Sequence, residues 1–333
     1  MAARAKVQVL AGDIGGTKTL LGLYDLGNGQ PALVRDQRYV TRDFQSLEEV
    51  AADFLGASAV EAACFGVPGP IVGGVSHATN VHWTMEEGAL ARALRVPGAR
   101  LINDLEATAY GMLQLKDGEV ATLQQGHPPS ARAQIAVIAA GTGLGEAGLA
   151  PLPEGRWRSV ASEGGHSDFA PRSPEQIELL EYLSGKFDHV SFERVLSGPG
   201  LVNIYEFLKA RSSDSEPQRL AEEFAQAADA AAVISENAIS GRDGRCVEAL
   251  RIFVEIYGAE ASNLALKFLA LGGVYLGGGI APKILPALTG GGFMRAFLAK
   301  GRLDKVLADI PVRVSLNPGA ALIGAARCAT EML

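Results

Sequence analysis

A two-lobed α/β protein with a cleft between its lobes is predicted by three features of this 333-residue chain. Short apolar runs of β character alternate with segments of helical period. A strand–glycine turn–strand opening occupies residues 7–26 and recurs, without close sequence repetition, at 134–150. A third glycine turn follows the apolar run at 272–279. Backbone lacking Cβ approaches phosphate oxygens closely and points several N–H groups at them. Two such turns facing each other would clamp a polyphosphate.

The elements follow in order. VQVLAG (7–12) and TLLGLYDL (19–26) flank the first turn, and RDQRYVT (35–41) is a third strand. SLEEVAADFLG (46–56) is helical, with Ser46 as N-cap and Gly56 after its end. AACFGVPG (62–69) is a buried strand stopped by Pro68 and Gly69. MEEGALARAL (85–94) is helical, ARLIND (99–104) ends a strand, and a helix runs from Leu105 to Leu115. After QIAVIAAGTGLGEAGLA (134–150) come helices at 174–186, 198–210, 217–227, 229–240 and 245–271. GGVYLGGG (272–279) and PVRVSL (311–316) are strands, and Pro318 to Met332 forms a closing helix.

Composition narrows the function. With 48% hydrophobic and 20% charged residues the chain reads as globular rather than disordered. A net charge of −7, with scattered Lys and Arg, argues against a nucleic-acid surface. Cys64, Cys246 and Cys328 are widely spaced and fit neither a disulfide framework nor a structural zinc site. MAARAK leads straight into a strand, so no signal peptide is expected. No apolar stretch reaches the ~18 residues of a membrane span. A reducing cytoplasm is the expected location.

DIGGTK (Asp13, Ile14, Gly15, Gly16, Thr17, Lys18) differs from a Walker A loop, because Thr17 precedes Lys18 and a β-like segment follows. It reads as a phosphate-binding hairpin, with an ordinary glycine hairpin as the alternative. Asp13 is expected to hold Mg²⁺ through water, since that ion keeps several waters and takes few carboxylates. In AAGTGLG, Gly143, Gly145 and Gly148 satisfy GxGxxG, but EAGLAPLP follows where a dinucleotide fold opens a helix. Gly141, Thr142 and Gly143 instead form a second phosphate hairpin. In LIND, Asn103 and Asp104 end an apolar run before a helix. Alone, Asp104 reads as a helix cap. In a cleft it reads as a general base taking a proton from a sugar hydroxyl as that oxygen attacks phosphorus. SEGGHSDF spaces Glu163 and His166 three apart, and the intervening glycines favour a loop presenting both to a polyol over a metal-binding helix. Glu193 reads equally as an exposed helix residue or a further hydroxyl acceptor. Asn80, in TNVHW, is either a ligand contact or a turn residue.

DIGGTK, FGVPGP, TNVHW, LINDLEATAYG, AAGTGLG, SEGGHSDFAP, ERVLSGPGLVNIY, LGGGIAPKIL and NPGAALIGAA occur in one order along essentially the whole chain. In this the sequence resembles the bacterial glucokinases, the non-zinc branch of the sugar kinase, heat-shock ATPase and actin superfamily. The resemblance implies a two-lobed actin-like, ribonuclease H-like ATPase fold with an interlobe cleft. It implies a small domain of 1–114 plus 317–333 and a large domain of 115–316. It also implies ATP-dependent phosphorylation of glucose at the 6-hydroxyl, the entry step of glycolysis, by a cytoplasmic homodimer. Asp104 then matches the catalytic base. Asn103, Glu163, His166 and Glu193 match sugar contacts, with Asn80 a weaker candidate. Asp13 to Thr17 and Gly141 to Gly143 match the phosphate and metal turns, and Gly278 and Gly279 the adenosine-side turn. The related repressor/kinase family with zinc-binding cysteines is the nearest competitor, but no Cys lies between 64 and 246. A kinase for mannose or fructose, and a non-catalytic sugar sensor on the same fold, are the functional alternatives.

Overall fold

The computed structural model describes residues 7–27, 30–78, 81–129 and 131–333. Strands β1 (Gln8–Ile14), β2 (Lys18–Leu26) and β3 (Pro31–Val40) form an antiparallel meander. Strand β4 (Ala62–Val67) pairs with β1 in parallel. Strands β5 (Ile71–Val72), β6 (Val75–His77) and β7 (Thr84–Glu86) make a small separate sheet. Strand β8 (Ala99–Asn103) then pairs with β4 in parallel. A six-stranded sheet holds β9 (Val120–Gln124), β10 (Ile135–Ala140), β11 (Leu144–Pro151), β12 (Trp157–Ser162), β13 (Gly273–Gly277) and β14 (Val312–Ser315).

The first sheet has the order β3-β2-β1-β4-β8, and the second β12-β11-β10-β13-β14 with β9 added at its edge. Counted within each sheet, both follow 3-2-1-4-5. The recurring strand–glycine turn–strand thus opens two sheets of like topology.

Helix α1 (Leu47–Leu55) is capped by Ser46, whose hydroxyl accepts from the Glu49 N–H at 3.2 Å, and Gly56 ends it with φ +57°. The segment expected to be helical from 85 begins as β7, and helix α2 spans Glu87–Leu94. Helix α3 (Asp104–Met112) starts directly after β8. The helices expected at 174–186, 198–210, 217–227, 229–240 and 245–271 are found at Pro174–Ser184, Gly198–Arg211, Gln218–Gln226, Ala230–Ile239 and Gly244–Phe268. The last ends early because Leu269 turns left-handed, at φ +45°.

The described residues of Met1–Glu119, Ala147–Ala161 and Asn317–Leu333 form one compact unit, and Val120–Glu146 with Ser162–Leu316 form another. The segment 147–161 joins the first unit through helix α3. The Tyr110 hydroxyl donates to the Trp157 carbonyl at 3.1 Å, and the Ser159 hydroxyl donates to Glu106. The first unit's core includes Leu10, Leu21, Phe54, Phe65 and Leu101. The second's includes Ile138, Phe253, Tyr257, Leu276 and Phe293. Each such side chain contributes roughly 1.5–3 kcal/mol by leaving water.

The closing helix Ala320–Thr330 packs on α3, β1 and β4 within the first unit. Two glycines set the approach. A Cβ on Gly324 would lie 1.7 Å from the Ala107 carbonyl oxygen, and one on Gly111 would lie 2.0 Å from that of Ala320. Only glycine lets the two backbones come this close. Cys64, Cys246 and Cys328 are buried free thiols. Among the described residues no helix is long and apolar enough to cross a membrane.

Candidate active site

In the first unit, β1 ends at Ile14 and Gly15–Thr17 turn the chain into β2. The Gly15 N–H donates to the Lys18 carbonyl at 2.9 Å, closing the turn. Thr41 pins it from β3's end: its hydroxyl donates to the Gly15 carbonyl at 2.7 Å, and its N–H to the Thr17 carbonyl at 3.2 Å. Gly16 and Thr17 are exposed. The Ile14 side chain is buried in the core, so only its main chain is available to a ligand. Asp13 precedes the turn half-buried, and burial holds its carboxyl above the usual range. A carboxyl desolvated in this way gains when a cation stands beside it.

Where β8 passes into α3, Asn103 rather than Asp104 is the helix cap. Its Oδ1 accepts from the Leu105 N–H at 2.9 Å, while its own N–H donates to Glu106 at 3.0 Å, a reciprocal capping box. The Asn103 amide also donates to the Gly69 carbonyl at 3.2 Å, tying this corner to the FGVPGP segment. Asp104 is the first residue of the helix, and its Oδ1 accepts from the Leu105 N–H at 2.8 Å. Asn103 does the capping that the sequence left open for Asp104. Asn80 lies outside the described residues.

In the second unit, Gly141–Gly143 join β10 to β11. The Gly141 N–H donates to the Gly143 carbonyl at 2.8 Å, and the Gly141 carbonyl accepts from the Gly198 N–H at 2.8 Å. Gly198 opens the 14-residue helix Gly198–Arg211. The positive end of that helix dipole therefore abuts the turn, which favours an anion there. Strands β10 and β13 are parallel neighbours, with Ala139 opposite Gly277. The turns at Gly141–Gly143 and Gly278–Gly279 thus leave adjacent C-terminal strand ends, where α/β sheets bind ligands. Gly278 has φ +77°, and a Cβ there would lie 2.4 Å from the Ala140 carbonyl oxygen.

Glu163 precedes, and His166 ends, a single 3₁₀ turn, Gly164–His166, where a loop was expected. Both are exposed. The glycines between them are required by proximity, since a Cβ on Gly165 would lie 2.0 Å from the Leu144 carbonyl oxygen. Glu193 sits in a second 3₁₀ turn, Phe192–Arg194, half-buried rather than on an exposed helix. Its Oε2 accepts from the Leu144 N–H at 3.0 Å, immediately after the glycine turn. Gly143 permits this contact, because a Cβ there would stand 2.5 Å from that oxygen. Glu193 and His166 line one polar recess of about 430 Å³, together with Lys186, Asp188 and His189. Sequence reasoning missed Thr41, the Glu193–Leu144 bond and this recess; none leaves a local pattern in the chain.

Two sheets of one topology, each opening on a glycine turn, define the actin-like ATPase class of mixed α/β proteins. The glucokinase family model matches residues 10–332. The glucokinase of Synechocystis sp. is 40% identical over 350 residues, covering 98% of each chain. That of Nostoc sp. is 41% identical over 343 residues, covering 97% of this chain and 99% of its own. The crystal structure of a glucokinase from an Antarctic psychrotroph superposes with a TM-score of 0.85 at 29% identity, over 97% of this chain and 99% of its own. The chain belongs to the glucokinase family.

Proposed function

We propose that this protein transfers the terminal phosphoryl group of ATP to the 6-hydroxyl of glucose, with Asp104 as general base. The carboxylate takes the hydroxyl proton as the sugar oxygen bonds to phosphorus and the bond to the ADP oxygen breaks. A positioned base of this kind is worth roughly 10²- to 10⁴-fold. Asn103, Glu163, His166 and Glu193 are assigned to the sugar hydroxyls, with Asn80 a weaker candidate. The backbone N–H groups of Gly15–Thr17 and Gly141–Gly143 are assigned to the phosphates, and Gly278 and Gly279 to the adenosine side. Asp13 would hold Mg²⁺ through water, and the ion when bound neutralises phosphate charge. A desolvated carboxyl beside a phosphate-type turn suits that role.

The observation that carries this reading is the start of α3 in a chain of this family. Asn103 caps the helix, and Asp104 stands at a strand end as its first residue. The family resemblance also carries a cytoplasmic location and a homodimer; light scattering on purified protein tests the latter. A coupled ADP-release assay across glucose, mannose and fructose tests the activity. Turnover highest with glucose supports the reading, turnover highest with another hexose redirects it, and sugar binding without turnover overturns it. Glu163→Gln, which removes a charged hydroxyl acceptor, is expected to raise KM for glucose by roughly 10-fold or more. KM for ATP should stay within about twofold. An unchanged glucose KM would remove Glu163 from the sugar site.

A further inference from the structure

Glu146 has no part in the reaction above, yet it is among the most buried charged residues of the chain, at 1% exposure. It lies on β11 three positions beyond Gly143. As a carboxylate, neither of its oxygens meets a hydrogen-bond donor among the described residues. A Cβ on Gly164 would stand 2.0 Å from Glu146 Oε2, so the carboxyl lies directly against the Gly164–His166 turn. Ser162, whose hydroxyl accepts from the Gly164 N–H at 2.9 Å, is the other side chain against that glycine.

The helix Gly244–Phe268 carries Glu260, which is 0% exposed and is the strongest neighbouring charge on the Glu146 carboxyl. That carboxylate is well supplied with donors. Asn263 donates to its Oε2 at 2.7 Å and Lys267 to its Oε1 at 3.3 Å. Lys300 in turn donates to the Asn263 side-chain Oδ1. Glu260 is therefore the member of the pair equipped to be ionised. Two acceptor-only groups cannot share a buried space favourably; one of them has to carry a proton and donate it.

We propose that Glu146, held as a neutral acid that donates to Glu260, is a positioning residue: it fixes the Gly164–His166 turn, and with it Glu163 and His166, for sugar binding, and loss of its proton releases that turn. This rests on the sugar-contact reading of Glu163 and His166. The charged and titratable groups facing the pair are Glu260, Lys267 and Tyr257 on the long helix and Lys300 from its loop, with Arg172 acting on Lys300. Burial, then Glu260, pushes the Glu146 carboxyl up to about 8, against the opposing pull of Lys267. The proton is accordingly held at neutral pH and lost above it.

The test is the pH dependence of kcat and glucose KM for the wild type and Glu146→Gln between pH 6 and 9.5. The wild-type KM is expected to rise by up to ~10-fold per pH unit above the ionisation, with kcat little changed. Glu146→Gln keeps a donor toward Glu260 and cannot ionise, so its KM should stay near the neutral-pH wild-type value throughout. A flat wild-type KM, or a Gln variant that follows the wild-type curve, overturns the proposal. Infrared titration of the wild type reads the proton directly and does not depend on the variant's folding. A buried-acid carbonyl band should vanish as KM rises; its absence at pH 7 also overturns the proposal. No glucose turnover at pH 7 would sink the functional reading and this inference together, whereas normal turnover with a flat KM sinks this inference alone.

Discussion

Asp104→Asn is expected to lower kcat by roughly 10²- to 10⁴-fold while leaving the protein folded. The amide oxygen still accepts the Leu105 N–H, and Asn103 with Glu106 still caps α3, so the helix keeps its start. What disappears is the ability to take a proton. Glucose KM should change far less than kcat, because the loss falls on the transition state. Steady-state kinetics beside a thermal melt of each protein decides the matter. A variant with near-normal kcat removes Asp104 from the base role.

Gly324→Ala is expected to cost about 3 kcal/mol or more and to lower kcat as well. The added methyl would sit 1.7 Å from the Ala107 carbonyl oxygen and 2.6 Å from the Gly111 nitrogen, both backbone atoms that cannot swing aside. Helix α3 must move bodily, and Asp104 is its first residue. A displacement near 1 Å at a reacting group can cost ~100-fold in rate. Gly244→Ala is the matched control, since a Cβ there meets nothing within 4 Å. Thermal melts and kcat of the two variants should diverge sharply. Equal behaviour would show that the contact between these helices tolerates a methyl group and does not fix α3.

The glycine turns and buried strands were legible because their signals are local. DIGGTK, AAGTGLG and LGGGI each follow an apolar run, and β1, β10 and β13 lie where those runs are. The helices were equally legible from their period and, at Ser46, from the cap that accepts from the Glu49 N–H at 3.2 Å. Strands β9 and β12 went unseen because they are half-exposed at most positions and carry no apolar run. Asn103 and Asp104 were found as a pair, but only coordinates decide which of two adjacent capping residues does the capping. The Glu193–Leu144 bond spans 49 positions, and nothing near either residue announces it. Glu146 reads in sequence as one polar residue in a strand, and its burial against Glu260 follows from how helix Gly244–Phe268 lies on the sheet.

The composition of the first unit has a consequence for biosynthesis. Its sheet and α3 are complete by Glu119, but their apolar backing is the helix Ala320–Thr330. At ~5–20 residues per second, about 200 further residues separate the two events by roughly 10–40 s. Throughout that interval the nascent polypeptide carries an uncovered greasy face beside Gly22, Ala107 and Gly111. Ribosome-associated chaperones are therefore expected to stay on this polypeptide until Leu322 and Gly324 have cleared the exit tunnel.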